Sequence, residues 1–144
     1  MSAYDWIKQR DRNAADSSAG TEAYFSLSPT RWSLYRVLRG LLPQTLHGRC
    51  LDAGAGRMAF ALMARDCVEQ YIALDVQARP GLDAAGSALD LPLRDECLDS
   101  ILCLQVLEHV PDPERALREF YRCLKPGGVL LLSVPHLAYL HNEP

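Results

Sequence analysis

Two acids and two glycines carry the chemistry offered by this sequence. In "LDAGAGRMAFA", Leu51 to Ala61, Asp52 lies two residues before Gly54, and Gly56 follows after one more residue. A glycine-bearing turn between a strand and a helix lets a ligand approach the backbone where a Cβ would obstruct it. Sheets of alternating strand and helix bind ligands at the carboxyl ends of their strands. A carboxylate there repels a pyrophosphate and attracts an ammonium, so the loop suits a positively charged ligand better than a dinucleotide. Asp75 ends the next apolar segment, about twenty residues on, where a carboxylate can accept both hydrogen bonds of a ribose diol.

The elements that must position these residues alternate along the chain. "SPTRWSLYRVLRGLLP" predicts a helix capped by Ser28, with Pro29 in its first turn, Leu34, Leu38, Leu41 and Leu42 on one face, and Pro43 as its end. "RCLDA" reads as a strand, and "MAFALMARDC" as a helix presenting Phe60, Met63, Ala64 and Cys67. "QYIALDV" is a second strand, after which the loop "QARPGLD" stands where a helix is expected. A short strand near Ala84 to Ala88 and a strong one, "LDSILCL", come next. Asp112 and Pro113 open the clearest helix, with Ala116, Leu117, Phe120 and Leu124 as its stripe, and "KPGG" stops it. "VLLLSVP" is apolar on both faces, which reads as a central strand. The alternation predicts a parallel sheet with right-handed crossovers covered by helices.

Composition bounds the rest. The 144 residues, 49% hydrophobic, suffice for one compact domain, read as residues 29–144 behind an N-terminal segment, 1–28. That segment holds a short helix near Trp6 and a small, polar connection from Asn13 to Gly20. Fifteen Lys+Arg against eighteen Asp+Glu give a net charge of −3, so no broad field favours nucleic acid or an anionic membrane. A charged N-terminus and the lack of an apolar run of about eighteen residues predict a cytoplasmic protein. Cys50, Cys67, Cys97, Cys103 and Cys123 form no C-x-x-C pair and read as buried reduced thiols, while His47, His109, His136 and His141 are too scattered to suggest a metal.

A ligand bearing a ribose, an ammonium and a positive centre would satisfy both acids, and S-adenosylmethionine is such a ligand. From about Cys50 to Pro135 the chain resembles class I S-adenosylmethionine-dependent methyltransferases of the small-molecule type. "LDAGAG", Asp75, "GSALDLPLRDECLDSILCLQVLEHV" and "LKPGG" look like that family's motifs, in order and at suitable spacing. The resemblance implies a Rossmann-like three-layer α/β sandwich with a mostly parallel sheet. It implies that Gly54 and Gly56, with the backbone of Ala53 and Ala55, approach the methionine portion of the cofactor, and that Asp52 orients its amino group. Asp75 and Val76 would hold the ribose end, Ser87, Ala88 and Leu89 would flank the adenine, and Leu104 and Gln105 would close the other side. No catalytic residue and no metal is implied, and the acceptor is a small molecule.

This sequence departs from the family pattern at two places. Met58 stands where a third glycine is usual, and Gly86-Ser87-Ala88 replaces Gly-Asp-Ala, leaving Ser87 to accept a hydrogen bond without the charge. Glu108 and His109 read as packing and capping residues before they read as an acid/base pair, and Tyr24, Trp32 and Tyr35 as core aromatics before a lid. The family's last two strands have no counterpart before Pro144. "VLLLSVP" would then be an edge, covered by the N-terminal segment, the C-terminal tail or the same strand of a homodimer. Two other readings remain: a catalytically incomplete cofactor-binding or partner-binding module, and a dinucleotide-dependent oxidoreductase.

Overall fold

The computed structural model describes residues 19–26 and 28–135. The expected helix near Trp6, most of the polar connection before Gly20, and His136 and His141 lie outside the described residues. Two helices, α1 (Glu22–Ser26) and α2 (Pro29–Thr45), precede the alternating part. There follow β1 (Arg49–Ala53), α3 (Ala61–Arg65), β2 (Gln70–Asp75), β3 (Ala84–Ala85), β4 (Leu98–Leu104), a 3-10 turn (Leu107–His109), α4 (Pro113–Cys123) and β5 (Leu124–Ser133). The five strands form one parallel sheet in the order β3-β2-β1-β4-β5.

Alternation along each strand sends side chains to opposite faces and builds two cores. Leu51, Ala53, Leu74, Ile101 and Cys103 pack against Ala116, Phe120 and Cys123 of α4. Cys50, Leu102 and Leu104 pack against Leu38, Leu42 and Leu46 of α2 and its C-cap and against Ala64 of α3. The start of α4 is fixed by Asp112, whose Oδ1 accepts the Arg115 N–H at 2.9 Å, satisfying a backbone donor that the first helical turn leaves open.

Two elements differ from expectation. α2 runs through Pro43 to Thr45. Pro43 withholds only its own N–H, while Gln44 Nε2 donates to Gly40 O at 3.0 Å and Leu46 N closes onto Leu42 O. The helix after β1 is only five residues long, because Met58 adopts φ +54° and delays helical geometry until Ala61. β5 is an edge of the described sheet, as expected of a strand with no later strand beside it, although its apolar faces alone read as central. Its apolar character comes from its two faces, since Leu131 packs in the α2 core and Leu130 in the α4 core.

The β2–β3 connection has no helix, and a side chain holds it in place. Asp83 Oδ2 accepts the Ala73 N–H at 2.8 Å while the Asp83 N–H donates to Ala73 O at 2.9 Å. Those two bonds extend the ladder beside a strand of only two residues, allowing a short loop to return parallel to β2.

Candidate functional site

A cavity of about 350 Å³ opens at the carboxyl ends of β1, β2 and β4, on the α4 side of the sheet. Of the residues singled out in the sequence, Gly54, Asp75, Val76, Ser87, Ala88, Leu89 and Gln105 line it. Leu74, Gly86, Val106, His109, Val110 and Pro111 complete the wall. Asp52, Ala53, Ala55, Gly56 and Leu104 are not among the lining residues. Leu104 packs in the α2 core, and the side chains of Ala53 and Ala55 are buried.

The glycine loop is tied to the end of β2 by its own amides. Gly54 N and Ala55 N both donate to Leu74 O, at 2.8 and 2.9 Å, and Gly56 N donates to Asp75 Oδ2 at 2.9 Å. Three consecutive N–H groups are thus consumed internally, so the loop offers none of them to a pyrophosphate, whose cradle requires free amides. This argues physically against the dinucleotide reading. The two glycines serve different ends. A Cβ on Gly54 (φ +81°) would lie 2.5 Å from Val106 Cγ2, so this glycine admits the β4 connection. A Cβ on Gly56 (φ +52°) would meet nothing nearer than 3.9 Å, so its backbone is bare on that side.

Asp75 Oδ1 accepts the Gln77 N–H at 2.9 Å, so each oxygen takes one backbone bond and keeps a further lone pair. Ser87 Oγ accepts the Leu89 N–H at 3.1 Å, and its own hydroxyl proton remains to be donated into the cavity wall. Gln105, at φ +56°, is fastened to β5 by Gln105 N to Ser133 O at 2.9 Å and Nε2 to Ser133 Oγ at 3.0 Å. His109 follows on the 3-10 turn, with its ring largely exposed and Nε2 3.9 Å from Glu108 Oε1.

Asp52 faces the other side of the same sheet end, with Cys50 and the α2 core. It is 5% exposed, and the Tyr71 hydroxyl donates to its Oδ2. Burial pushes its carboxyl up to about 6, the Tyr71 bond opposing that rise and the Asp75 charge adding to it. Burial likewise holds the neighbouring thiols neutral, Cys50 at about 11 and Cys103 at about 12. Met58 lays its side chain on the β2–β3 loop, where a Cβ on Gly81 would lie 2.5 Å from Met58 Cε. Among the described residues no group of His, Cys, Asp and Glu is arranged to hold a metal ion, and no helix is long and apolar enough to cross a membrane.

The family model described as "Methyltransferase domain" matches residues 51–132. The chain belongs to this methyltransferase domain family. A probable S-adenosylmethionine-dependent methyltransferase of Mycolicibacterium smegmatis is 36% identical over 108 residues, covering 65% of this chain and 42% of that protein. Among solved structures, a SAM-dependent methyltransferase of Thermotoga maritima shares 32% identity at a TM-score of 0.53, over 74% of this chain and 56% of the other. The YcgJ protein of Bacillus subtilis shares 28% identity at a TM-score of 0.57, over 66% and 50%. The methyltransferase domain described here therefore spans about two fifths of the curated relative and about half of these structures. The cofactor of the family is S-adenosylmethionine, and none of these relatives is named an oxidoreductase.

The chain's own residues fit that cofactor. The cavity wall is mostly apolar, with Asp75 and Ser87 as polar groups on one side. The Asp52 carboxylate lies at the end of β1, buried on the opposite face of the sheet. Sequence reasoning missed Tyr71, Val106, Val110 and Pro111. Tyr71 reaches Asp52 through strand pairing, and the other three come from the connection after β4, whose path no spacing rule reveals.

Proposed function

We propose that the protein transfers a methyl group from S-adenosylmethionine to a small-molecule acceptor. The observation that carries this reading is the pair of carboxylates at one sheet end, Asp75 in the cavity wall and Asp52 near the end of β1, with a loop after β1 whose amides cannot serve an anion. When bound, S-adenosylmethionine supplies an electrophilic methyl group on a good leaving group.

In this reading Asp75 accepts the ribose hydroxyls, and Val76, Ala88 and Leu89 flank the adenine. Ser87 donates or accepts one further bond there. Asp52 receives the ammonium, with Ala53 to Gly56 as the floor between the two acids. Gln105, held by Ser133, fixes the path of the chain after β4, and Val106, Val110 and Pro111 exclude water. Transfer to an already nucleophilic acceptor needs alignment and a dry site more than proton transfer, so no residue is assigned as base.

Calorimetry with S-adenosylmethionine, S-adenosylhomocysteine and NAD tests the reading. The first two should bind and NAD should not; NAD binding without the others would overturn it. Binding with no methyl release across a panel of small nucleophiles would leave a cofactor-binding module in place of an enzyme.

A further inference from the structure

Tyr71 lies near the start of β2, opposite Cys50, and two residues on Ala73 is opposite Asp52. Because Ala73 carries only a methyl group, the space beside Asp52 is open to the Tyr71 side chain, whose hydroxyl reaches Oδ2. The Arg65 guanidinium of α3 lies over the ring, 5.1 Å from its centroid. Oδ1 of Asp52 takes no hydrogen bond from any described residue. The residue keeps 5% of its surface exposed. Tyr71 thus ties one oxygen of a carboxylate that is not wholly sealed.

We propose that Tyr71 is a positioning residue for cofactor recognition, fixing the Asp52 carboxylate through Oδ2 so that Oδ1 is presented to the primary ammonium at the amino-acid end of the ligand. This rests on the function proposed above. A free carboxylate at this depth could rotate or take up a proton, and either change would lose the ammonium. The hydroxyl opposes both, because a hydrogen bond to the ionised form favours that form.

Among the described residues no other group near Asp52 does this work. From β2, Asp75 disfavours the charge; Cys50 on β1 and Cys103 on β4 are neutral thiols. The residues of the α2 core are apolar, and Arg65 stands beyond the Tyr71 ring. Tyr71 itself stays protonated, its phenol pushed upward by burial and by the Asp52 charge. The hydroxyl is therefore a fixed donor across the working pH range.

The test compares Tyr71→Phe with the unaltered protein by calorimetry from pH 5 to 8, using S-adenosylhomocysteine and methylthioadenosine, which lacks the amino-acid end. Tyr71→Phe should weaken S-adenosylhomocysteine about tenfold at pH 7, move the pH midpoint of its binding upward and leave methylthioadenosine unchanged. In an Asp52→Asn background the same change should add nothing to the loss. The Asp52 carboxyl resonance of the free protein should titrate higher in Tyr71→Phe, which separates positioning from general loosening. Equal weakening of both ligands, or an unmoved midpoint, would overturn the role of Tyr71 while leaving the cofactor reading intact. Failure of both ligands to bind the unaltered protein would overturn the two together.

Discussion

Replacing Asp52 by Asn should make the free protein more stable and its cofactor binding weaker. The carboxyl titrates at about 6 in the folded chain against an ordinary value of 3.8. The folded state thus holds its proton more tightly than the unfolded state. Stability from this group is complete below about pH 4 and is lost as the pH rises through the folded value. The loss above pH 7 is about 3 kcal/mol, a large share of the 5–15 kcal/mol typical of a domain. Asparagine has the same shape, accepts the Tyr71 hydroxyl and never ionises. The variant's advantage should therefore grow by about 2 kcal/mol between pH 4.5 and 7.5. Urea unfolding of both proteins at those pH values measures it. Parallel stability curves would show that Asp52 carries its charge without penalty and would refute the argument. S-adenosylhomocysteine should at the same time bind the variant more weakly, by roughly 1.5–3 kcal/mol for a lost charge-assisted hydrogen bond.

Asp75→Ala should weaken cofactor binding by about 1.5–3 kcal/mol, read by calorimetry; unchanged affinity would remove Asp75 from the site. Gly54→Ala should cost about 2–4 kcal/mol in urea unfolding, from the left-handed backbone and the collision with Val106. A further Val106→Ala change should recover only the collision part. Met58→Ala keeps the left-handed backbone and loses the contact on Gly81, whereas Met58→Gly relieves the backbone by about 1–2 kcal/mol. Met58→Gly should therefore unfold at a higher urea concentration than Met58→Ala, and the reverse order would show that the +54° conformation carries no strain.

Strand positions and α4 were legible because their signals are local: apolar runs ending on Asp52 and Asp75, and a cap at Asp112 that the structure shows bonded to Arg115. Pro43 misled because a proline near a helix end withholds one donor without forcing the chain out of helical geometry. The apolar faces of β5 alone suggested a central strand, because they report what lies above and below a strand, not what lies beside it; its edge position was legible only from the order of the motifs. Leu130 and Leu131 satisfy that pattern at an edge as well as they would at the centre. Within the site, Asp75 ends β2, Ser87 lies two residues past β3 and Gln105 follows β4, so all three could be placed by counting. Leu104 could not, because one residue of alternation sends it to the α2 core. Tyr71 was invisible because its tie to Asp52 depends on parallel register and on the small size of Ala73, neither of which a motif encodes.

Glu96, at φ +48°, is a left-handed residue away from the site, but three other unfavourable features lie in or beside the connections where the proposed ligand would sit. Met58 and Gln105 adopt left-handed backbone conformations that side chains resist, one in the connection after β1 and the other in that after β4. Asp52 keeps a carboxylate in a buried position that would rather be neutral. Each is held by a specific contact: Met58 by Gly81, Gln105 by Ser133 and Asp52 by Tyr71. A fold selected for stability alone would replace them with glycine or with neutral residues. A ligand carrying an ammonium and a ribose offsets the cost at Asp52 and uses the geometry set by the other two, so bound S-adenosylmethionine should flatten the pH dependence of stability that Asp52 imposes on the free protein.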